Sequence, residues 1–171
     1  ALKIFIDEST DSEVNFKKFV ARLFDKQYSR LGWTKIAGES FNDEQLRALP
    51  ISWEVYAENA DAVAQSSEVF AQHTADIHGI PADIRQVVLK NEITENETDA
   101  LVQSYFDAYA KTTDQTFQRE LNVAVSSTKK MTTVETIISQ YRNTDLVKPQ
   151  DLRFWFSSLV SREFSQAAAF D

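Results

Sequence analysis

The sequence predicts an all-α fold arranged as a superhelical array of antiparallel helix pairs, and three observations carry that expectation. The 171 residues contain only three Gly and three Pro, too few punctuating residues for a sandwich or barrel that must turn every 8–12 residues or so. Apolar residues recur at helical rather than alternating spacing over most of the chain. Helix-start signals in the second half return every 18 residues or so, so two helices and their turns make a unit of roughly 36, within the range of helical-hairpin repeats such as HEAT and armadillo. With 43% hydrophobic and 12% aromatic content, the chain can bury a core, and a single helical-repeat domain over 1–171 is expected.

From Glu13, the residues Phe16, Phe19, Val20, Leu23, Phe24 and Leu31 mark one face of a helix that Gly32 should end. Ser40 resembles an N-cap, with Asp43 and Glu44 in the first turn ahead of Leu46, Leu49, Ile51, Val55 and Tyr56. Pro50 predicts a kink or break, because an interior proline deletes a hydrogen bond and clashes with the preceding turn. Asn59 can cap a helix over about 60–74, before Gly79 and Pro81 interrupt the chain.

A short helix over 82–90 is expected next, with a turn at 91–94 and a capping box at Thr94 and Glu97. The same signature at Thr112 and Gln115 precedes Phe117, Leu121, Ala124 and Val125, and its return at Thr132 and Glu135 precedes Val134, Ile137 and Ile138. Pro149 stands where a first helical residue belongs, leading into one helix through Trp155, Leu159 and Phe164.

The net charge of −8 argues against a nucleic-acid partner, which needs a basic face to release counterions. No apolar run approaches the twenty or so residues that cross a bilayer, so no membrane partner is expected. The absence of Cys excludes disulfides and thiolate sites and suits a reducing compartment; a cytoplasmic location is expected. The opening Ala1-Leu2-Lys3-Ile4-Phe5-Ile6 has neither an initiator Met nor a secretory signal. Apolar residues near both ends, Leu2 to Ile6 and Trp155 to Phe170, do not look like solenoid caps, so truncation at both ends is expected.

Catalytic constellations are missing. His73 and His78 are five residues apart with no Glu between them, whereas a zincin helix needs two His at i and i+4 with a Glu beside the first. The expectation is that His73 ends a helix and His78 lies in the loop after it. No nucleophile elbow and no phosphate-cradling Gly loop is present. Carboxylate pairs such as Asp7-Glu8 and Asp43-Glu44 are better explained by capping and solubility than by acid–base chemistry, and Phe154-Trp155-Phe156 by packing. The chain is therefore expected not to be an enzyme by itself, and to hold no metal or cofactor.

Four segments, in order, carry a resemblance: Leu31-Gly32-Trp33 followed by Gly38-Glu39-Ser40, Asp43, Leu46 and Arg47; then Ile80-Pro81-Ala82-Asp83-Ile84-Arg85; then Thr112-Thr113-Asp114, Arg119-Glu120-Leu121-Asn122-Val123-Ala124 and Thr128-Lys129; and finally Val147-Lys148-Pro149-Gln150-Asp151-Leu152. Together they resemble the C-terminal domain of aminopeptidase N-type zinc aminopeptidases, the group of the endoplasmic-reticulum aminopeptidases and the bacterial lysyl and alanyl aminopeptidases. The resemblance implies a helical superhelix that closes over a catalytic domain of the same polypeptide, encloses the substrate chamber and shapes peptide access. The zinc and its ligands belong to that other domain, and none has a matching position here. The parent would remove N-terminal residues from peptides.

Arg47, Arg85 and Arg119 are the basic positions inside these segments, and at least one is expected to face the chamber and meet a substrate carboxylate or the catalytic domain, since a guanidinium is a planar, permanently charged fork. For any one of them, taken singly, an ion pair on the helix surface or between helices is the first reading. A free-standing helical scaffold that binds a protein partner is the alternative reading of the same repeats.

Overall fold

A computed structural model describes residues 10–170, and these divide into two compact units at Val88/Leu89. Among the described residues every regular element is helical: α1 (Asp11–Leu31), α2 (Phe41–Leu46), α3 (Ala48–Tyr56), α4 (Ala60–Gln72), α5 (Ala82–Asn96), α6 (Asp99–Lys111), α7 (Gln115–Val125), α8 (Met131–Ser139), α9 (Leu152–Val160) and α10 (Glu163–Phe170). The expected all-α class is observed, and α5 carries the chain across the division. Leu2 to Ile6 and the Asp7-Glu8 pair lie outside the described residues.

In the first unit, the Thr10 hydroxyl caps α1 by accepting from the Glu13 amide at 3.3 Å, and Gly32 ends it at φ 56°, ψ −164°, a combination open essentially to glycine. Ser40 caps α2 as its spacing predicts, accepting from the Asp43 amide at 3.2 Å. The break expected at Pro50 falls three residues earlier, at Arg47, where α2 gives way to α3. This placement puts Pro50 in the first turn of α3, where a helix has no internal acceptor for an N–H and a proline costs little. Asn59 caps α4 through the amides of Asp61 and Ala62. α1 packs along α3 and α3 on α4, with Val20, Leu31, Ile51 and Ala62 buried between them. Each large aliphatic side chain so buried contributes about 1.5–3 kcal/mol.

A short network ties α1 to α4. The Trp33 indole donates to the Tyr28 hydroxyl at 3.0 Å, and that hydroxyl donates to Asp61 at 2.7 Å. Burial and then the bond to Asp61 push the Tyr28 pKa up to about 12.

Three helix starts differ from the sequence expectation. The turn expected at 91–94 is absent, because Asn91 and Ile93 are buried and continue the buried face of α5. Thr94 lies inside the helix, its hydroxyl donating to the carbonyls of Lys90 and Asn91, and Thr98 caps α6 instead. The cap of α7 is Asp114 rather than Thr112; Asp114 accepts from the amides of Thr116 and Phe117, while Thr112 accepts from the Asp114 amide. α8 begins at Met131 after Lys130, which supplies no side-chain cap, and the hydroxyl of Thr128 receives the Lys130 amide. At Asp114 and Thr128 a hydrogen bond two residues long competes with the capping box, whereas Thr94 bonds back three and four residues within α5.

Pro149 also precedes its helix. The carbonyl of Lys148 accepts from Asp151 and Leu152, so 149–151 form a bonded turn ahead of α9. The single expected C-terminal helix is two, broken at Ser161 and Arg162. There the Ser165 hydroxyl donates to the Leu159 carbonyl at 2.7 Å, and the Arg162 guanidinium donates to the carbonyls of Ser126 and Thr128 at 2.8 and 2.7 Å. The core of this second unit centres on Trp155, 1% exposed, with Phe106 and Tyr109 against its ring at 5.9 and 5.2 Å.

Candidate functional site

α7 and α9 pack together in the second unit, and their outer flanks form an open groove of about 360 Å³. One wall is Arg119, Asn122 and Val123, at i, i+3 and i+4 on α7; the other is Phe154, Ser157 and Ser158, at i, i+3 and i+4 on α9, with Ser161 just past its end. These spacings put each set on one helix face. The three serines keep the groove open where longer side chains would fill it.

The chemistry of the walls is one-sided. Arg119 is exposed and its guanidinium lies over the Phe154 ring, 4.8 Å from the centroid; Arg153 lies 4.6 Å from the same centroid. Stacking of this kind holds a guanidinium in place while leaving its edge available to a carboxylate. Asn122 is 3% exposed; its Oδ1 accepts from the Ser158 hydroxyl at 2.6 Å, and its Nδ2 is buried without a hydrogen-bond partner. An unmatched buried donor costs about 1–3 kcal/mol. No carboxylate lines the groove. A guanidinium and serine hydroxyls together suit an anionic group, a carboxylate being the simplest.

The other two expected arginines have different surroundings. Arg47 is 2% exposed and donates to the carbonyls of Leu31, Gly32 and Thr34 as well as to Glu39, with which it forms a buried ion pair. It fixes the loop after α1 against the α2–α3 joint. Arg85 is 7% exposed and its Nε donates to the Ile80 carbonyl at 3.0 Å, holding the segment that leads into α5. Both serve backbone carbonyls within the first unit, whereas Arg119 belongs to the second.

His73 is the C-cap of α4, its Nδ1 2.8 Å from the Val69 carbonyl, and His78 lies in a 3-10 turn over Ile77–Gly79. Among the described residues no group of three His, Cys, Asp or Glu is placed to hold a metal ion. No helix among the described residues is long and apolar enough to cross a membrane.

Sequence reasoning named Arg119 and missed its neighbours. Phe154-Trp155-Phe156 was expected to pack, and does so at Trp155 and at Phe156, whose ring meets Phe170 at 5.4 Å; Phe154 instead walls the groove. The signal that was available is the set of serines at 157, 158 and 161 on the helix that also carries the aromatics.

Comparison with known proteins places these observations in a family. The model of the ERAP1-like C-terminal domain matches residues 1–171. The chain is 46% identical to an aminopeptidase N of Lactococcus lactis subsp. lactis (strain IL1403) over 168 residues, 98% of this chain and 20% of that protein. It is 35% identical to the aminopeptidase N of Lactobacillus helveticus and 32% to that of Lactobacillus delbrueckii subsp. lactis, each over 99% of this chain and 20% of the relative. The chain thus spans about one fifth of the length of these relatives. The resemblance carried by the four sequence segments and the match over the whole chain agree: this chain belongs to the ERAP1-like C-terminal domain family.

Proposed function

We propose that the chain is the non-catalytic C-terminal module of a cytoplasmic, zinc-dependent aminopeptidase that removes N-terminal residues from peptides. The module continues its helix pairs as one HEAT-like superhelical domain over 1–171, closes over the catalytic domain, encloses the substrate chamber and shapes peptide access. The observation that carries this reading is the alignment of nearly the whole chain with one fifth of proteins named aminopeptidase N. Zinc and the reacting groups belong to the remaining polypeptide.

Of the three arginines, Arg119 is the exposed one, and its groove supplies a place for a carboxylate of a bound peptide. Arg47 and Arg85 are buried and donate to backbone carbonyls. The test is Arg119→Ala in the full-length parent, with long peptides and aminoacyl anilides compared. The expected result is a rise in KM for long peptides of about fivefold, equivalent to about 1 kcal/mol, with anilide turnover unchanged. Equal effects on both substrates, or none, reject the peptide-contact role. A parent that contains no zinc and hydrolyses neither substrate rejects the peptidase reading itself.

A further inference from the structure

The first unit carries an aromatic surface that its own packing does not close. Phe16 meets Trp53 edge-on at 6.0 Å, Phe24 stacks on Trp53 at 5.9 Å and 5°, and Phe16 stacks on Phe19 at 6.4 Å. Phe16, Phe24 and Trp53 are half-buried, so the cluster is a layer on the surface of α1 and α3. On its outer side Phe19 is 51% and Leu23 57% exposed, one helical turn apart on the same face of α1. Leu49, on α3, is 44% exposed. Scattered exposed apolar residues are ordinary, but a contiguous aromatic ridge of this kind marks an interaction surface.

The charge beside the ridge is opposite to that of the chain. Lys18, Arg22 and Lys26 recur every four residues along α1, all exposed, and have no ion-pair partner among the described residues. They form a basic row beside Phe19 and Leu23 in a protein of net charge −8. A second copy of so acidic a chain brings general repulsion, and a basic row selects a partner with local carboxylates. The chain matches a C-terminal domain family and covers 20% of its relatives, in which most of the polypeptide lies outside the matched region.

We infer that the Phe19–Leu23 ridge of α1, with its Lys18–Arg22–Lys26 row, docks onto the remaining polypeptide of the same parent, on an apolar surface rimmed by Asp and Glu. This rests on the proposed membership of a larger aminopeptidase and adds to it the surface through which the module is held. Rings at the centre of an interface with charges at its rim are the usual division between affinity and register.

The chain has no Cys, so a thiol placed in it is the only one among the peptides that this chain contributes. Leu23→Cys, Phe19→Cys and, as an exposed reference on α4, Glu68→Cys are placed separately in the full-length parent and labelled with a maleimide, with each position read by peptide mass spectrometry. The expected result is labelling at 23 and 19 at least tenfold slower than at 68, independent of protein concentration. Rates within twofold of the reference overturn the proposal, and so does protection that grows with protein concentration, which identifies a second copy as the occupant. Aminopeptidase activity is measured on the same samples: intact activity with unprotected thiols sinks the docking surface alone, whereas protection without peptidase activity sinks the functional reading and leaves the surface standing.

Discussion

The Arg47 guanidinium and the Glu39 carboxylate form an ion pair whose side chains are 3% and 4% exposed, and the same guanidinium collects three backbone carbonyls from the last residue of α1 and the loop after it. Removing one partner of such a pair leaves a buried charge without compensation, at a cost of about 3–5 kcal/mol. Arg47→Ala is expected to lower the urea midpoint by a corresponding amount, and the double variant Arg47→Ala with Glu39→Gln to recover part of it. Additive losses in the two substitutions would show that the pair is not energetically coupled.

Glu54 gives a pH dependence with a definite sign. It is 0% exposed on α3; burial raises its pKa, the nearby Asp25 raises it further, and the 3.0 Å bond from Asn59 opposes the shift. The folded chain therefore binds this proton more tightly than the unfolded chain does. The associated stability is fully present below the ordinary Glu range and is lost as pH rises through the raised folded value. Glu54→Gln should flatten the pH slope of the urea midpoint, because it removes the group whose proton affinity differs between the folded and unfolded chain. A Gln variant with the slope intact would reject burial as the cause.

The helix starts can be separated by alanine substitution. Asp114→Ala removes the two hydrogen bonds that cap α7 and should cost about 0.5–2 kcal/mol. Thr94→Ala lies inside α5 and exchanges a back-bonded threonine for a better helix former, so it should be neutral or slightly stabilising. A cost at Thr94 equal to that at Asp114 would restore the capping role the sequence spacing implies.

The groove has its own test at Asn122. Asn122→Asp replaces the unmatched Nδ2 donor with a second acceptor and sets a negative charge among the groove residues. Long-peptide KM in the full-length parent should rise further than in Arg119→Ala, while aminoacyl anilides remain unaffected. An unchanged KM would mean that no anionic group occupies the groove.

Helicity and most apolar faces were legible because period and burial coincide: Val20, Leu31, Ile51, Leu121 and Val134 all lie where spacing puts them, in the core. Helix starts were less legible, since Thr94, Thr112 and Thr132 satisfy the same i, i+3 pattern as a true cap, and only the continuing burial of Asn91 and Ile93 shows that Thr94 is interior. The arginines show the same limit. Arg47, Arg85 and Arg119 are equivalent in sequence, yet the first two are buried against carbonyls supplied by loops whose paths a linear pattern does not contain. Arg119 differs because an aromatic and three serines stand opposite it on another helix.

The Arg162 side chain reaches back 36 residues to the Ser126 carbonyl at the end of α7. A chain leaving the ribosome at about 5–20 residues per second completes α7 roughly two to seven seconds before the arginine that closes its last turn has been made. Until then the turn after α7 lacks the guanidinium that bridges its Ser126 and Thr128 carbonyls, so the α9–α10 junction is the part of the chain that completes it.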